Sequence, residues 1–384
     1  MNFNGPAIPL PGESFDEEAW IDSALAPEIE QMRQTPQNPE WHAEGDVWTH
    51  TKLIIQHLLE SDEWQLSEPD NRTILFLAAL LHDIGKTVCT RTEEGRITSP
   101  NHGKIGAKIA RKILWQRFEL AGTVKTQQIR EAVCSLIRFH STPVHFLNNE
   151  FPEFLVLRAA SDGETARGMT NRLLATLAEA DVTGRIAENI DSSRELIELY
   201  RQSAAENNSL DGPFSFASPR SRYAYFNGRL DSPHAELFDD SWGEVVILSG
   251  LPGTGKDTFA RKYLSDRPIV SLDTIREELK IPPDANQDAV AAAARERAKE
   301  LLRAKQPFVW NATNVTEFIR APIVRLCVDY GASVRMVFLE ASWEETLRRN
   351  KNRSKAVPES VLDRLLTKLE PPTVREAHQA EWHV

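Results

Sequence analysis

The sequence predicts two domains, an all-helical N-terminal half and an α/β C-terminal half built on a parallel sheet. In the first two hundred residues, apolar residues recur at intervals of three and four, as in TKLIIQHLLE and IREAVCSLIRFH, and this spacing is typical of helices. From Gly243 onward, short apolar runs such as VVILS and SVRMVFLE alternate with helical segments, which predicts parallel strands joined by helices. A chain of 384 residues also exceeds what one hydrophobic core usually supports.

The predicted domain boundaries follow from a change in composition near the middle of the chain. We assign residues 1–205 to the helical domain, 206–242 to a linker and 243–384 to the α/β domain. The linker is rich in Asn, Ser, Pro and Gly, yet it also contains aromatic residues, among them Phe214, Phe216, Tyr223, Tyr225, Phe226 and Phe238. Flexible linkers contain few aromatics, so we expect this segment to pack on a domain. The alternative is that Arg220 and Arg222, beside these rings, bind nucleic acid by charge and stacking.

The net charge of −11 argues against a protein that coats nucleic acid with a broadly basic surface. The charge is uneven, because the chain has 22 Lys and Arg against 20 Asp and Glu from Gly243 onward, and 23 against 36 before it. An acidic N-terminal half suits metal binding. A near-neutral half with local basic clusters can still contact phosphates.

Cysteine spacing and hydropathy favour a cytoplasmic protein with no membrane partner. Cys89, Cys134 and Cys327 lie far apart in sequence and share no metal-ligand spacing, so we expect reduced core thiols. No segment approaches the roughly 18 consecutive apolar residues of a membrane span. The N-terminal sequence MNFNGPAIPLPGESFDEE has no basic start followed by an apolar stretch, so we expect no secretion signal.

The most specific motif is the segment GLPGTGK from Gly250 to Lys256, which lies between the predicted strand VVILS and a predicted helix. A phosphate-binding P-loop requires this context, which disfavours a chance glycine-rich turn. Gly250, Gly253, Thr254 and Gly255 are the expected nucleotide-binding positions, since backbone N–H groups there can surround phosphate oxygens beside the positive end of a helix dipole. We expect Lys256 to reach the β- and γ-phosphates of ATP, or of another nucleoside triphosphate, bound with Mg²⁺.

The position after this lysine departs from the usual pattern. It normally carries a Ser or Thr that ligates Mg²⁺, whereas here it is Asp257, followed by Thr258. Both residues belong to the predicted nucleotide site. Asp257 either acts on the metal through a water molecule or is only a solvated helix residue.

Polar residues follow the next two predicted strands. Asp273 comes at the carboxyl end of PIVSLD, where a carboxylate can accept a proton from an attacking hydroxyl. Arg276 lies one helical turn later and could hold a substrate phosphate; the alternative is an N-cap Asp with a surface Arg. Thr313 and Asn314 end PFVWNAT at the same edge, so we expect their side chains to line the acceptor cleft.

A basic run, RRNKNRSKAVP, follows a predicted helix near the C-terminus. Such a run is usually a solvated surface. Here we favour a lid that places arginine on the transferring phosphoryl group, because kinases with a P-loop need that charge.

With these motifs, the C-terminal half resembles the 5′-OH polynucleotide kinase domain of bacteriophage and bacterial end-healing enzymes. The shared features are the GxPGxGK loop, Asp-x-x-Arg after the second strand, Thr-Asn after the third, and an Arg-Asn-x-x-Arg lid that continues into Lys-Ala-Val-Pro. The resemblance implies Asp273 as general base, Arg276 as the contact to an acceptor phosphate, and Arg349 and Arg353 as catalytic lid arginines, with Arg353 also contacting ATP.

In the N-terminal half, histidines and aspartates on or beside predicted helices form an ordered set. Its members are His50, His82, Asp83, His102, His140 and Asp181. Packed helices can bring such side chains together at one core site. Imidazole and carboxylate ligands suit Mn²⁺, Co²⁺, Ni²⁺, Fe²⁺ or Zn²⁺, which can activate water for attack on phosphorus. A single His on an apolar helix face is more often a core residue than a ligand, but the whole set favours a metal site.

This set resembles that of the HD phosphohydrolase superfamily, and the resemblance implies its helical fold across roughly residues 40–200. Histidines beyond the minimal His…His-Asp…Asp pattern suggest two metal ions rather than one. Asp83 and Lys86 are the implied catalytic residues, Lys86 as a contact to the scissile phosphate; a helix-end lysine near the dipole is an equal alternative for it. We expect His42, Glu44 and His57 to be structural or to support the ligands.

In this order, the two halves resemble bacterial enzymes in which an HD phosphoesterase precedes a polynucleotide kinase. That family repairs broken RNA or DNA ends. The resemblance implies an HD domain that removes 2′,3′-cyclic, 2′- or 3′-phosphates, a kinase that adds a 5′-phosphate, and a separate ligase that seals the ends. It leaves open whether RNA or DNA is preferred and whether the protein is a homodimer.

Two other classes of protein share parts of this pattern. A nucleotidase fused to a small-molecule kinase would have a compact, closed acceptor pocket and no polymer substrate. A regulatory protein in which one module only senses nucleotide fits less well, because both halves carry full sets of catalytic residues. An assay with labelled ATP that compares a 5′-OH oligonucleotide with free nucleosides as acceptors distinguishes the end-healing enzyme from the small-molecule kinase.

Overall fold

The computed structural model describes residues 3–166, 168–188, 190–282, 285–353 and 355–384. It contains two compact units, Met1–Ser215 and Phe216–Val384. Each unit has buried apolar residues of its own. Ser354, within the predicted lid, lies outside the described residues.

The N-terminal unit is built mainly of helices, as the three- and four-residue spacing predicts. They are α1 (Glu17–Ile21), α2 (Ala26–Arg33), α3 (Val47–Glu60), α4 (Asp62–Leu66), α5 (Pro69–Leu81), α6 (Lys86–Cys89), α7 (His102–Gln116), α8 (Val124–Phe139), α9 (Thr142–His145), α10 (Pro152–Thr165), α11 (Asn171–Thr183) and α12 (Ile190–Glu206), with a 3₁₀ turn at Phe146–Asn148.

Helix α5 forms the centre of this unit. Its residues Ile74–Leu81 are all buried, which is typical of a helix that is apolar on every face. The ring of Trp20 packs 5.6 Å from that of Phe76, and burying each such side chain contributes about 1.5–3 kcal/mol. Because α5 ends inside the core, His82 and Asp83, which follow it directly, are almost completely buried.

A small hairpin interrupts the helices and was not predicted from the sequence. Strand β1 (Arg91–Glu93) pairs antiparallel with β2 (Arg96–Thr98). The two turn residues, Glu94 and Gly95, both have positive φ, as a two-residue hairpin turn of this type requires. The strands are short and mostly exposed, so they carry none of the apolar alternation that sequence analysis detects.

The C-terminal unit alternates strands and helices. After α13 (Pro219–Phe226) come β3 (Glu244–Ser249), α14 (Lys256–Tyr263), β4 (Ile269–Ser271), α15 (Leu272–Glu278), α16 (Asp288–Arg303), β5 (Val309–Asn311), α17 (Glu317–Asp329), β6 (Ser333–Leu339), α18 (Trp343–Lys351), α19 (Glu359–Lys368) and β7 (Gln379–His383).

The strands form a five-stranded sheet in the order β4-β5-β3-β6-β7, with every neighbouring pair parallel. The predicted parallel sheet is therefore confirmed. The chain leaves the central strand β3 toward β4 and β5 on one side and later places β6 and β7 on the other. Ligands of such sheets bind at the carboxyl ends of the strands beside this change of direction, which puts the expected site just after β3.

Strand β7 at the sheet edge was missed by the sequence analysis. Its segment, QAEWH, is largely polar and only partly buried, so it lacks the apolar run that marked the other strands. It pairs along β6 from Arg335 to Leu339.

The segment predicted as a linker is divided between the units. Its residues from Phe216 onward belong to the C-terminal unit. Tyr223 stacks on His378 with ring centroids 5.0 Å apart, and the buried guanidinium of Arg222 donates hydrogen bonds to the carbonyls of Val374 and His378. Arg220 pairs with Asp240 at 2.6 Å. These contacts favour packing on a domain over the nucleic-acid grip, although the ring of Phe238 is exposed.

The three cysteines are free thiols. Cys134 and Cys327 are buried in the two cores, whereas Cys89 is only partly buried and is not the core residue that we expected. Within the described ranges, no helix combines the length and the apolar character that crossing a membrane requires.

Candidate functional sites

The predicted metal ligands converge from five separate helices. His50 lies on α3 and Asp181 on α11, His102 is the first residue of α7, the pair His82 and Asp83 follows α5, and His140 follows α8. They form two groups, His50 with His82 and Asp181, and Asp83 with His102 and His140, and in each group the ligand atoms lie within 4.8 Å of one another.

Polar caps fix where two of the ligand-bearing helices begin. The carboxylate of Asp46 accepts a hydrogen bond of 2.9 Å from the backbone N–H of Thr49 and starts α3 one turn before His50. The hydroxyl of Thr170 accepts from the N–H of Leu173 at 3.2 Å and starts α11. Local sequence therefore sets each helix, and packing sets their mutual positions.

The distances within the cluster are those of ligands gathered around a shared centre. His50 Nε2 lies 3.0 Å from Asp181 Oδ1, and His102 Nε2 lies 3.1 Å from His140 Nε2. Asp83 Oδ1 lies 3.5 Å from the first and 3.9 Å from the second of the latter two nitrogens.

Backbone carbonyls determine the tautomers of three of the histidines. In His82, His102 and His140, Nδ1 lies 2.8, 2.9 and 2.8 Å from the carbonyl oxygen three residues earlier. A carbonyl can only accept, so Nδ1 carries the proton and Nε2 keeps its lone pair for a ligand. Metal-binding histidines use the same arrangement, because the hydrogen bond of one nitrogen orients the other.

Two atoms of the cluster lack the hydrogen bonds that buried polar atoms normally make. His82 Nε2 and Asp83 Oδ1 are buried, and neither has a hydrogen-bond partner among the described residues; Asp83 Oδ2 lies 3.2 Å from His82 Nε2, but both of these atoms are acceptors. Leaving such an atom unsatisfied costs about 1–3 kcal/mol. A cation bound between the two ligand groups would satisfy both, so these residues fit one or two transition-metal ions, and a metal held there would activate water toward a phosphate ester.

Charge keeps the two buried carboxylates ionised. Burial favours the neutral acid of Asp83, but the neighbouring ring of His82 and the ammonium group of Lys86 outweigh it and hold the pKa of that carboxyl well below its usual range. Burial also opposes ionisation of Asp181, and Arg185 with His50 holds its pKa low.

Burial, together with the neighbouring His102 and His82, lowers the pKa of His140 to about 3. His140 therefore stays neutral at physiological pH, which is the form that binds metals.

Lys86 borders the cluster. Its Nζ lies 2.6 Å from Asp83 Oδ2 and donates a hydrogen bond of 2.6 Å to the Gln37 side chain. The amine thus stands next to a predicted ligand. Gly85 lies between Asp83 and Lys86 in sequence, and steric constraints require glycine at this position. A Cβ there would lie 2.1 Å from the carbonyl oxygen of His102. Only glycine lets the start of α7 approach this closely.

Two further residues, Arg185 and Glu44, support the ligands of this site; only Glu44 was named in the sequence analysis. Arg185, one turn after Asp181, donates from its guanidinium to that carboxylate at 2.6 Å. The sequence did contain a signal for this pair, because an acid followed four residues later by a base is the spacing of ion pairs on helices. Glu44, expected only to be structural or supporting, has Oε1 2.7 Å from His50 Nδ1 and 2.9 Å from His42 Nδ1.

Glu44 is itself held in place. Its second oxygen accepts a hydrogen bond of 3.0 Å from the backbone N–H of Ile186. Burial lowers the pKa of His42 to about 4 despite its bond to Glu44, so that ring is neutral. Glu44 lies six residues before His50 in sequence, and its contacts are those of a residue that supports a ligand.

In the C-terminal unit, the loop after β3 has the geometry of a phosphate-binding loop. Gly250, Gly253 and Gly255 all have positive φ, and a Cβ at Gly250 would lie 2.3 Å from the carbonyl oxygen of Leu339. The ammonium group of Lys256 donates to the carbonyls of Gly250 at 2.7 Å and of Leu251 at 2.9 Å. The loop is therefore curled around its lysine.

A pocket of about 310 Å³ opens beside this loop. Its walls include Gly253, Gly255, Lys256, Asp257, Thr258, Asp273, Arg276, Thr313, Arg349 and Arg353, all predicted from the sequence. The fold thus brings the predicted nucleotide residues, base, acceptor contact and lid arginines to one site.

Three predicted residues of the kinase site support the loop instead of lining this pocket. Gly250 makes the tight turn, and the buried hydroxyl of Thr254 donates to the carbonyl of Leu251 at 2.9 Å. Asn314, expected in the acceptor cleft, is buried, and its amide donates to the carbonyl of Leu248 at 2.7 Å. It has positive φ, and it ties the end of β3 to the chain after β5, a role that sequence spacing could not distinguish from substrate contact.

The candidate base lies among arginines. Asp273 is in the first turn of α15, just past the end of β4, and it pairs with Arg276. A terminal nitrogen of Arg353 lies 4.0 Å from the same carboxylate. Arg276 is oriented by Gln287, whose side-chain oxygen accepts from its Nε at 2.7 Å. A hydroxyl bound here would meet a proton acceptor beside cations that stabilise phosphoryl oxygens.

The first lid arginine is held on its own helix. Glu345, four residues before Arg349 on α18, accepts from its Nε, and it also accepts from Arg348 at 2.6 and 2.7 Å. Both pairs are largely exposed, so they contribute little and leave Arg349 able to turn toward a nucleotide.

Comparisons with known proteins match a stretch within each of the two units. Residues 47–198 match the family described as HD domain, and residues 245–372 match the family described as AAA domain. The chain is similar to the L-seryl-tRNA(Sec) kinase of Methanococcus maripaludis, with 24% identity over 140 residues, which are 35% of this chain and 55% of that protein. The chain thus spans about half the length of this relative. It joins a helical HD domain to an α/β domain of the P-loop kinase type.

Proposed function

We propose that this chain heals broken nucleic-acid ends. In this proposal, the HD unit removes 2′,3′-cyclic, 2′- or 3′-phosphates from RNA or DNA ends, and the kinase unit transfers the γ-phosphate of ATP to 5′-OH ends. The observation that carries the proposal is an acceptor groove of about 870 Å³ that continues from the P-loop pocket past Asp273 and Arg276.

The continuity of the two cavities supports transfer to a bound hydroxyl. Asp257, Asp273, Arg276 and Arg353 line both the P-loop pocket and the acceptor groove. A hydroxyl at Asp273 would therefore face the γ-phosphate of a nucleotide on Lys256. Arg276, next to it, offers a planar guanidinium that matches the geometry of a phosphate on the acceptor.

The acceptor groove favours a polymer over the small-molecule alternative. A nucleotidase fused to a small-molecule kinase calls for a compact, closed acceptor pocket, whereas this groove is nearly three times the volume of the P-loop pocket. The name of the archaeal relative also describes a kinase whose acceptor is attached to RNA. Its acceptor, a seryl group on tRNA, is the second candidate to test.

The HD unit fits the removal of a phosphate from the opposite end of a break. Its buried ligands suit one or two transition metals, and Lys86 and Arg185 place positive charge beside Asp83 and Asp181. Phosphoester hydrolysis by such a site would leave a 3′-OH. A separate ligase would then join that end to the 5′-phosphate that the kinase unit makes. The three free cysteines are consistent with a cytoplasmic location, which we include in the proposal. We also include a homodimer in it.

Purified full-length protein with labelled ATP and Mg²⁺ tests the kinase proposal. A 5′-OH RNA oligonucleotide, the matching DNA, free nucleosides and seryl-tRNA would be compared as acceptors. Transfer to the oligonucleotides at far higher kcat/KM than to nucleosides is expected. Transfer to nucleosides alone would support the small-molecule kinase, and transfer to seryl-tRNA alone would place the acceptor hydroxyl on an aminoacyl group.

An RNA with a 2′,3′-cyclic phosphate tests the HD proposal in a separate reaction. Removal of the phosphate should require Mn²⁺, Co²⁺ or Ni²⁺ after chelation. Hydrolysis of free nucleotides without action on the RNA end would favour a nucleotidase.

A further inference from the structure

The acceptor groove beside the P-loop pocket carries more positive charge than the transfer reaction uses. Its walls include five cationic side chains, those of Arg261, Arg276, Lys280, Arg353 and Lys355. Arg276 and Arg353 surround Asp273, and Lys355 pairs with Glu277 at 2.6 Å.

The two other cations have no such partner. Neither Arg261 nor Lys280 makes an ion pair or a side-chain hydrogen bond with any residue in the described part of the chain. Arg261 lies on α14, one turn after Asp257, and borders both cavities. Lys280 comes just after Leu279, the C-cap of α15, and borders the groove alone. Unpaired cations lining a concave surface attract an anionic ligand.

We propose that this groove holds the sugar-phosphate backbone of the acceptor strand beyond its first nucleotide, with Arg261 and Lys280 contacting successive phosphates. This inference rests on the proposed 5′-OH kinase function and adds which residues would hold the acceptor strand. Arg276 beside the base is placed for the phosphate nearest the reacting hydroxyl. Lys280, which borders the groove but not the P-loop pocket, can contact a phosphate of the acceptor only if the acceptor continues past its first nucleotide. A single-stranded polynucleotide continues in this way and a nucleoside does not.

The backbone conformation at Lys280 allows a substitution that removes the side-chain charge without disturbing the end of the helix. Lys280 has φ 54°. Its N–H donates a hydrogen bond to the carbonyl of Glu277, and the N–H of Ile281 donates to the carbonyl of Arg276. These features define the Schellman motif at the end of a helix. Glycine is the preferred residue at this position, so Lys280→Gly removes the charge and keeps the helix end.

The chain contains a matched control for this variant. Lys305, after α16, has φ 50° and the same pair of backbone hydrogen bonds to Leu302 and Leu301. It precedes β5 and therefore lies toward the amino edge of the sheet, away from the groove at the carboxyl edge. Lys305→Gly removes one positive charge in the same backbone conformation.

The experiment compares Lys280→Gly, Arg261→Gln, the double variant and Lys305→Gly as full-length proteins. Acceptors are a ten-nucleotide 5′-OH single strand and a nucleoside 3′-monophosphate, each at several salt concentrations. Wild type should prefer the longer acceptor. Lys280→Gly and Arg261→Gln should each raise KM for it roughly two- to fivefold, and the double variant should lose most of the preference. The salt dependence of binding should fall by about 0.7 in log–log slope per cation removed.

Binding of the fluorescently labelled ten-nucleotide strand, measured by anisotropy without ATP, provides a readout independent of turnover. ATP affinity and thermal unfolding are measured in parallel, because Arg261 also borders the P-loop pocket. Lys305→Gly should match wild type in every assay.

Three outcomes decide the inference. Reduced length preference with an unchanged fold supports it. Wild-type length preference and salt slope in the double variant overturn it while leaving the 5′-OH kinase standing. Absence of transfer from wild type to any 5′-OH strand overturns the proposed function and this inference together.

Discussion

The side-chain amide of Asn311 donates a hydrogen bond of 2.6 Å to the carboxylate of Asp257. Asp257 occupies the place where P-loops usually carry the Ser or Thr that binds Mg²⁺, and Asn311 is the last residue of β5. The bond uses Oδ1, and the residue lines the P-loop pocket, so Oδ2 can turn toward a hydrated Mg²⁺. This contact favours a role on the metal over that of a merely solvated helix residue.

We therefore expect Asn311→Ala and Asp257→Asn to weaken Mg²⁺-dependent nucleotide binding. Each variant should raise the Mg²⁺ concentration for half-maximal binding of a fluorescent ATP analogue roughly tenfold, as losses of supporting contacts do at metal sites. Binding measured without Mg²⁺ is the control and should change little. An unaltered Mg²⁺ requirement in both variants would show that Asp257 has no part in holding the metal.

Loss of the two central kinase residues should abolish 5′ phosphorylation by different routes. Asp273→Ala removes the base and should lower kcat by about 10²–10⁴ with ATP affinity retained, whereas Lys256→Ala should weaken ATP binding as well. Removal of a 2′,3′-cyclic phosphate should continue in both, because each site is built within its own unit. Near-normal transfer by Asp273→Ala would mean that another group accepts the proton.

Nucleotide affinity should depend on pH through Lys256. Burial lowers the pKa of its ammonium to about 8, with Arg353 lowering it and Asp257 opposing the shift. Phosphate bound to the ammonium raises that pKa, so binding takes up a proton above pH 8. ATP affinity should be constant below pH 8 and fall as the pH rises beyond it. Calorimetry at pH 9 in buffers of different ionisation enthalpy should detect the proton uptake; a flat affinity from pH 7 to 9 would contradict it.

The metal cluster should be essential to hydrolysis alone. His82→Ala, Asp83→Ala and Asp181→Ala should each eliminate action on a 2′,3′-cyclic phosphate and spare 5′ phosphorylation. Wild-type protein should carry one or two transition-metal ions per chain, or regain activity with Mn²⁺, Co²⁺ or Ni²⁺, while the kinase runs on Mg²⁺. Hydrolysis indifferent to metal and to chelator, in a protein without bound metal, would refute the HD assignment.

Glu44 should govern how tightly that cluster binds metal. Glu44→Gln keeps the shape but loses the charge that orients His50, so metal affinity should fall about 10- to 100-fold, measured by competition with a chromogenic chelator. His57→Ala, at the other end of α3 and outside the groups of clustered ligands found in the described residues, is the matched control. Equal metal affinity in Glu44→Gln and wild type would reduce Glu44 to a packing role.

Local pattern predicted much of this molecule. The periodicity of three and four marked the long helices, the alternating apolar runs marked four of the five sheet strands, and GLPGTGK fell between a strand and a helix as required. These features could be predicted because backbone hydrogen bonding and side-chain period are properties of neighbouring residues. The hairpin at Arg91–Thr98 and strand β7 were not predicted, because exposed strands and edge strands need no apolar run.

The ordered His and Asp residues could be identified from the sequence, but their spacing along the chain does not give the distances between their side chains. Only helix packing brings His50 within 3.0 Å of Asp181, 131 residues away, and sets Glu44 against His50. The same holds for Asn311 with Asp257, and for Asn314, whose position after β5 suggested substrate contact while packing turned its amide to Leu248. The sequence by itself determined most of the helices and strands and most of the chemical groups of both sites. The tertiary structure decided which polar groups face a ligand and which satisfy a buried carbonyl, because a buried donor must find a partner wherever the fold offers one.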